Sequence, residues 1–186
     1  MKEVYKKDID FKVAIGEFVI AFSKLEFGLN SLCALTEFDI RKKDEYYIRY
    51  MGFPFEKKLE ILESFIEENT PELKVTWDML KSEIKSINSE RRYLIHGIHN
   101  YSFPKETIQT FVKRKKVIVP KKFSLRDIKS LTNKIYEICT GKNGITGEFN
   151  SDFTKVRVNQ WNQLVLDKNK IVFKLNNKIV SDWKGS

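Results

Sequence analysis

Residues 11–35 of this 186-residue chain read FKVAIGEFVIAFSKLEFGLNSLCAL, and this stretch decides the fold. Its apolar side chains recur at steps of three and four residues, at Phe11, Ile15, Phe18, Phe22, Leu25, Leu29 and Leu32. That spacing places them on one face of an α-helix. We expect the helix to begin near Asp8 or Asp10 and to end near Leu35. A stripe of this length is typical of a helix in a bundle, so the chain is predicted to be mainly α-helical.

Three further helices are predicted from the same periodicity. The second runs from Pro54 to about Asn69, because Pro54 suits the first helical position. The third begins at Thr70 and Pro71 and carries an apolar seam through Leu73, Trp77, Leu80, Ile84 and Ile87. The fourth begins after Ser124 and ends at Gly141. Residues 41–50 are expected to form a short helix or turn, and the four long helices to form a bundle.

Two regions alternate apolar and polar residues with the period of a β-strand. Between the third and fourth helices, residues 98–120 are predicted to form a β-hairpin with a basic tip at residues 113–116. Residues 150–186 are predicted to be β-rich, with strands at Lys155–Val158, Leu164–Leu166, Ile171–Leu175 and Ile179–Val180. We therefore predict a helical domain over residues 1–145, which includes the hairpin, and a β-rich C-terminal extension over residues 146–186.

The sequence carries 34 Lys and Arg against 25 Asp and Glu, a net charge of +9. The excess is one-sided, because residues 1–103 hold 16 basic and 18 acidic side chains, whereas residues 104–186 hold 18 and 7. A basic half is typical of proteins that bind polyanions. The candidate RNA contacts are basic residues of the hairpin and of the segment after it: Lys113, Arg114, Lys115, Lys116, Lys121 and Lys122, followed closely by Arg126.

Several classes of protein are disfavoured. Two separated cysteines and two histidines give no zinc-ligand spacing, so no metal is expected. The loop over residues 141–147 follows a helix and lacks the spacing of a phosphate loop, so no cofactor is predicted. The N-terminus has no apolar signal segment, and the apolar run Phe18–Phe22 is far shorter than a bilayer span. We therefore expect a cytoplasmic protein with reduced cysteines and no membrane partner.

A polar group stands at the end of the third predicted helix, where residues 88–97 read NSERRYLIHG. On a helix, Arg92 and His96 lie four residues apart on one face, and Asn88 lies one turn earlier on that face. Arg91 points instead toward the apolar seam. A charged side chain is rare in such a position unless it is paired or functional, so Arg91 is a candidate site residue.

Two neighbouring residues extend this polar group. His99 continues the same face if the helix persists past Gly97. Glu90 is expected either to position the arginine side chains or to face solvent, and the same alternatives apply to Asn88. A histidine that titrates near neutral pH can act as acid or base, and arginine can bind a phosphate through two parallel hydrogen bonds.

This segment resembles the signature of HEPN (higher eukaryotes and prokaryotes nucleotide-binding) domains, in which an arginine is followed after four to six residues by a histidine. Here the pair is Arg91 and His96. The first helix carries Phe22-Ser23-Lys24-Leu25-Glu26, similar to the Phe-x2-Leu-Glu pattern of many members, and His96 is followed by Gly97, as is often the case in the family. The order of helices is similar over roughly residues 8–140. Arg92 departs from the smaller polar residue that usually follows the signature arginine.

The resemblance implies a metal-independent endoribonuclease that works as a homodimer, as a toxin of a toxin–antitoxin system or in antiviral defence. It implies that Arg91 and His96 are catalytic. From their place beside this pair, we add Arg92 as a third catalytic candidate, with Asn88, Glu90 and His99 in support. Cleavage of RNA through its own 2′-hydroxyl needs a base, an acid and a cation beside the phosphorane. One His96 does not supply both acid and base, whereas a symmetric dimer would place two across one cleft.

A second hypothesis fits the same residues. It is a non-catalytic HEPN-like module that binds RNA, a nucleotide or a partner protein, with the C-terminal extension as the interaction surface. Family members are also often paired with an antitoxin or a nucleotidyltransferase, so such a partner is a third possibility. Those paired members carry a tyrosine two residues after the histidine, where this chain has Ile98.

Overall fold

The computed structural model describes residues 2–37, 39–102, 107–114, 117–167, 172–175 and 178–182. These residues form six α-helices and five β-strands, so the chain is mainly helical, as predicted. The chain divides into two compact units, each built from two separate stretches. Unit 1 comprises Met1–Lys24 and Ser82–Ile138, and unit 2 comprises Leu25–Lys81 and Cys139–Ser186. The predicted domain boundary after residue 145 stays a prediction.

The helices are α1 (Lys2–Leu35), α2 (Lys43–Met51), α3 (Phe55–Asn69), α4 (Lys74–His96), α5 (Leu125–Thr140) and α6 (Glu148–Asp167). Short 3₁₀ turns at Ile40–Lys42 and Pro71–Leu73 precede α2 and α4. The strands β1 (Ile98–Ser102), β2 (Thr107–Arg114) and β3 (Val117–Ser124) form an antiparallel sheet in the order β1-β2-β3. A second antiparallel pair consists of β4 (Val172–Leu175) and β5 (Lys178–Asp182).

The four long predicted helices correspond to α1, α3, α4 and α5, and the short predicted helix corresponds to α2. The predicted start of the first helix is wrong, because α1 already begins at Lys2. Residues 2–10 contain no glycine or proline that would interrupt a helix. Asp8 and Lys12, one turn apart, also form an ion pair at 2.6 Å that supports this first part of the helix.

Unit 1 has one apolar core between its helical segments and the three-stranded sheet. Its buried side chains come from α1 (Phe11, Phe18 and Phe22), α4 (Ile84, Ile87 and Leu94), the sheet (Ile108 and Phe123) and α5 (Ile128 and Ile135). The α1 members belong to the stripe that the sequence predicts. The residues of β2 and β3 that face this core alternate with exposed ones, which is the pattern of a sheet with one solvated face.

Unit 2 has its own core, which includes α6. Aromatic side chains dominate the contact between α6 and the earlier helices: Phe149 lies 6.0 Å from Trp77 and Phe153 lies 5.7 Å from Phe65, between ring centroids. Cys33 and Cys139 are buried in this unit, and neither forms a disulfide among the described residues. Burial raises the pKa of the Cys33 thiol to about 12, so the side chain stays protonated and unreactive at neutral pH.

The predicted β-rich extension is wrong over its first half, because α6 occupies Glu148–Asp167. The alternation of Val156 and Val158 with charged residues suggested a strand. The stronger signal is a period of four, at Phe149, Phe153, Arg157 and Trp161, which places one face of a helix against the unit 2 core. The proposed strand Leu164–Leu166 is also helical. β4 and β5 agree with the last two predicted strands, and the predicted turn residues 168–170 and 176–177 lie outside the described residues.

The predicted β-hairpin is part of a larger sheet. β1 adds a third strand, and β3 continues to Ser124, beyond the predicted end at residue 120. The register pairs Arg114 with Val117 at the tip and Thr107 with Ser124 at the other end. Pro120 is tolerated in β3 because this strand is at the edge of the sheet. The tip residues Lys115 and Lys116 lie outside the described residues.

By length and composition, α1 could cross a membrane, which corrects the expectation that no segment approaches a bilayer span. The part Asp8–Leu35 contains an 18-residue window with a mean hydropathy of 1.4. However, 67 % of that window is buried inside the fold. Burial of this kind is what the apolar face of a core helix requires.

A capping box starts α5, as the sequence predicts for Ser124. The Asp127 backbone N–H donates to Ser124 Oγ at 3.1 Å, and the Ser124 N–H donates to Asp127 Oδ2 at 2.7 Å. The hydrogen bonds that the Asp127 carboxylate accepts from Ser124, from its backbone N–H first and from its side chain second, lower the pKa of the carboxyl. The ionised carboxylate therefore stabilises the folded state above the ordinary aspartate pKa, and this contribution is lost as the pH falls through the lower, folded-state pKa.

We predict that Asp127→Asn lowers the free energy of unfolding by about 0.5–1 kcal/mol at pH 7, a typical value for a lost cap. The difference from the wild type should shrink below about pH 4, where the wild-type carboxylate also becomes protonated. Urea unfolding at pH 7, 5 and 3 measures both values. Asp10→Asn, in the middle of α1, is the control and should show no comparable pH dependence. A difference that stays constant down to pH 3 would contradict the assignment.

Arg157 is the largest polar side chain in the unit 2 core and is fully buried. Its Nε donates to the Leu35 carbonyl at 2.7 Å and its Nη2 to the Glu37 carbonyl at 2.8 Å, where α1 ends. Its Nη1 donates to Gln160 at 2.6 Å. Burial lowers the pKa of Arg157 to about 10, so the side chain remains charged at neutral pH. It satisfies carbonyl groups that the end of a helix leaves without intrahelical partners.

Arg157→Lys should lower the free energy of unfolding by about 2–4 kcal/mol, since one ammonium group cannot reproduce the diverging guanidinium hydrogen bonds. The matched control is Arg41→Lys, at an arginine whose side chain is 72 % exposed, where we expect a much smaller change because solvent screens its ion pair. Denaturant unfolding of both variants gives the comparison. Equal losses would show that Arg157 does not anchor the end of α1.

Candidate functional site

The candidate site in unit 1 is built where α4 ends and the sheet begins. α4 stops at His96, and the Gly97 N–H donates to the Tyr93 carbonyl at 3.2 Å to close the last turn. A Cβ atom at Gly97 would overlap the Tyr93 carbonyl oxygen and lie 3.2 Å from the Thr110 side chain in β2. Only glycine fits at this junction, so the chain passes directly from α4 into β1.

Arg91 lies on the apolar seam, as its spacing predicts. Its guanidinium carbon is 4.6 Å from the centre of the buried Phe22 ring of α1. The residue is half-buried, and its Nε is a buried atom with no hydrogen-bond partner among the described residues. Stacking on an aromatic face stabilises a guanidinium group, whose N–H groups lie in its plane and so point away from the ring.

Arg92 and His96 are both exposed and lie one helical turn apart, which puts their Cβ atoms about 5–6 Å from each other. The predicted third member of this face, Asn88, is instead buried. Residues four apart on a helix do not lie fully in line, so Asn88 faces the core whereas Arg92 and His96 face solvent. Arg92 and His96 are thus brought together on the surface, and Asn88 is not part of that surface.

Glu90 does not contact the arginines. Its carboxylate is paired with the ammonium group of Lys121 in β3, at 2.5 and 2.6 Å. Lys121 also lies over the rings of Tyr93 and Phe123, at 5.6 and 5.4 Å from their centroids. The pair therefore connects α4 to the sheet. Lys121, which the sequence predicts to be an RNA contact, is paired with Glu90 of the same chain.

His99 lies in β1. Its predicted place on the helix face is wrong, because α4 ends at His96. In the sheet register it is opposite Thr110, which is in turn opposite Lys121. The residue is half-buried, and its Nε2 is a buried atom without a hydrogen-bond partner among the described residues. His99 is therefore a sheet residue, whereas His96 is a helix-end residue on the surface.

The remaining predicted RNA contacts are spread over the sheet. Lys113 near the end of β2 and Lys122 near the end of β3 are exposed. The backbone of Arg114 ends β2, and Lys115 and Lys116 lie outside the described residues. Among the six predicted contacts, Lys113 and Lys122 are the two whose described side chains face solvent.

The sequence reasoning missed a basic surface on α5. Lys129 is exposed and Lys134 is half-buried, and both line clefts along this helix together with Arg126. The signal was available, because residues 126, 130 and 134 recur with the helical period on the face opposite the apolar stripe of α5.

The exposed His96 and Arg92 and the half-buried Arg91, all near the end of α4, can provide an acid or base and two cations. This combination suits the binding and activation of a phosphate group. Within the part of the chain that the structure describes, no group of three or more His, Cys, Asp or Glu side chains comes together in a way that could hold a metal ion.

Comparisons with known proteins give no match: no protein-family model, no curated protein and no solved structure is detectably similar to this chain. The function therefore has to be inferred from the residues and their geometry.

The junction at Gly97 can be tested with a matched pair of glycines. Gly97→Ala should lower the free energy of unfolding by roughly 1–3 kcal/mol, because the new methyl group overlaps the Tyr93 carbonyl. Gly16→Ala, on the exposed side of α1 with nothing within 4 Å of the new Cβ, should raise it by about 0.5–1 kcal/mol. Thermal or urea unfolding measures both. A loss at Gly16 or no change at Gly97 would contradict this reading of the junction.

Proposed function

We propose that this chain is a HEPN-type, metal-independent endoribonuclease of a toxin or antiviral-defence system, acting in the cytoplasm as a homodimer. The observation that carries the proposal is Arg91, a half-buried cation stacked on Phe22 with no acidic partner among the described residues. A partly desolvated cation without a counter-ion favours an anionic ligand. The exposed His96 follows it by little more than one helical turn. The chain order of long helices, with the sheet between α4 and α5, is compatible with the HEPN resemblance.

The proposed reaction is transesterification of RNA. A base removes the proton of the 2′-hydroxyl, the 2′-oxygen forms a bond to phosphorus, and the bond from phosphorus to the 5′-oxygen breaks. An acid protonates the departing 5′-oxygen. The products are a 2′,3′-cyclic phosphate and a 5′-hydroxyl, so atoms and protons balance without water. Arg91 and Arg92 stabilise the charge that develops on the phosphorane oxygens.

Two histidines are needed at one cleft if acid and base act in the same step. Within a single chain, His96 is exposed while His99 belongs to the sheet, so the second acid–base group is proposed to be His96 of a second copy. A two-fold axis near the end of α4 would bring both copies of His96 to one scissile phosphate.

Replacement of His96 tests the proposal. His96→Ala should reduce cleavage of tRNA or total RNA in EDTA by at least about 10²-fold, since it removes the acid–base group. The products are analysed for 2′,3′-cyclic phosphate ends. Lys85→Ala, at an exposed position on the same helix, is the matched control and should cleave at the wild-type rate. Circular dichroism establishes that both variants are folded.

Cleavage by His96→Ala at the wild-type rate would contradict the assigned role. The same assay over a dilution series, with the molecular mass measured at each concentration, tests the shared site. Specific activity should fall as the dimer dissociates, and full activity of a monomer would exclude a composite site.

The alternative is a non-catalytic HEPN-like module that binds RNA, a nucleotide or a partner protein. One observation favours it: a single chain presents only one exposed histidine among the described residues. Under this alternative, RNA is bound without being cut by the wild-type protein. An antitoxin or nucleotidyltransferase partner stays a prediction under both proposals.

A further inference from the structure

Two adjoining clefts run along the solvent side of α5 in unit 1. The first has a volume of about 320 Å³ and lies between α5, β3 and the part of α4 that holds Ser86 and Glu90. The second has a volume of about 490 Å³ and is lined by α5 residues. They share Ser130 and Lys134. We call this continuous surface the α5 groove and define it by Lys122, Arg126, Lys129, Ser130, Asn133 and Lys134.

The side chains that line the groove carry a net positive charge. Its two clefts are lined by five cationic and three acidic side chains. Glu90 is paired with Lys121, and the Asp127 carboxylate, which accepts a hydrogen bond from the Ser124 N–H, interacts electrostatically with Arg126 and Lys121. The third, Glu137, is exposed at the far end.

The four cations that define the groove differ from Lys121, which is paired with Glu90. Among the described residues, none of Lys122, Arg126, Lys129 and Lys134 forms an ion pair. Three of them are exposed and Lys134 is half-buried. Five cations against three carboxylates leave the lining with a net charge of +2, which attracts a polyanion.

The spacing of these side chains matches a chain of phosphates. Arg126, Lys129 and Lys134 all line the second cleft and so lie on the same solvent side of α5. Eight residues separate Arg126 from Lys134, a rise of about 12 Å along the helix axis. One strand of a DNA duplex carries one charge per about 3.4 Å of helix axis, and phosphates of a single strand lie further apart, so the roughly 12 Å of the groove is long enough for more than one phosphate. Ser130 and Asn133 add neutral donors of the kind that bind phosphate oxygens.

The groove also leads toward the candidate site. Glu90, on its α4 wall, precedes His96 by six residues, which is about 9 Å along the helix axis. Both belong to unit 1. A strand lying in the groove would therefore reach the end of α4 with its next few nucleotides.

We infer that the α5 groove binds the phosphodiester backbone of single-stranded RNA and delivers it to His96. The inference rests on the proposed function for the identity of the polyanion, and it places the main RNA contact on α5 rather than at the hairpin tip. The recognised chemistry is the phosphate backbone, so binding is expected to be salt-dependent and weakly selective for sequence.

The test is binding of a fluorescent 2′-O-methyl RNA oligonucleotide, which cannot be cleaved through a 2′-hydroxyl. The triple variant Arg126→Gln/Lys129→Gln/Lys134→Gln should bind at least 10-fold more weakly than the wild type at moderate salt. The slope of log Kd against log salt concentration should fall by about 2, since each lost contact to single-stranded nucleic acid removes about 0.7. Fluorescence anisotropy between low and high salt measures both quantities.

The matched control is Lys42→Gln/Lys57→Gln/Lys142→Gln, which removes the same charge from exposed positions outside the groove. It should keep the wild-type slope. An unchanged slope in the groove variant, or an equal decrease in the control, would overturn the inference. So would groove-dependent binding to vesicles of phosphatidylserine and phosphatidylcholine with no binding to the RNA.

These results are independent of catalysis. Groove-dependent binding by a wild-type protein that cuts no RNA would support the groove and contradict the ribonuclease proposal. Cleavage that depends on His96 but is unaffected by the groove variant, together with an unchanged salt slope, would support the ribonuclease proposal and overturn the groove.

Discussion

The close approach of backbone and sheet at Gly97 is the constraint on which the rest of unit 1 depends. Because no side chain fits between the Tyr93 carbonyl and Thr110, α4 ends at His96 and the chain enters β1 at once. This junction separates the two histidines of the sequence. His96 stays at the surface end of a helix, and His99 takes a place in a strand with a partly buried ring.

Two buried or half-buried arginines show how the same residue type is accommodated in different ways. Arg157 in unit 2 donates to the Leu35 and Glu37 carbonyls, so its charge is satisfied by the protein itself. Arg91 in unit 1 is held only from one side, by the ring of Phe22, and its Nε has no partner among the described residues. The first arrangement stabilises a fold, whereas the second retains the capacity to bind an anion.

For the binding of a polyanion, the positions of the charged side chains matter more than the net charge of the chain. Lys121 looks like part of the basic segment, yet its pairing with Glu90 joins the sheet to α4. Lys129 and Lys134 belong to an otherwise ordinary amphipathic helix and border its clefts, yet neither forms an ion pair among the described residues. The field that a polyanion would meet is therefore set by which cations the fold has already paired.

The sequence by itself determined the helical class, the bounds of α3, the capped start of α5 and the position of Arg91 on the apolar seam, since each depends on local periodicity or on a cap. It did not reveal α6, because valines that alternate over a few residues give the same local signal as a strand. Only the tertiary structure decided that Asn88 is buried, that Glu90 holds Lys121 and that His99 leaves the helix. Those outcomes depend on which segments pack together, and this information is not contained in the spacing within any one segment.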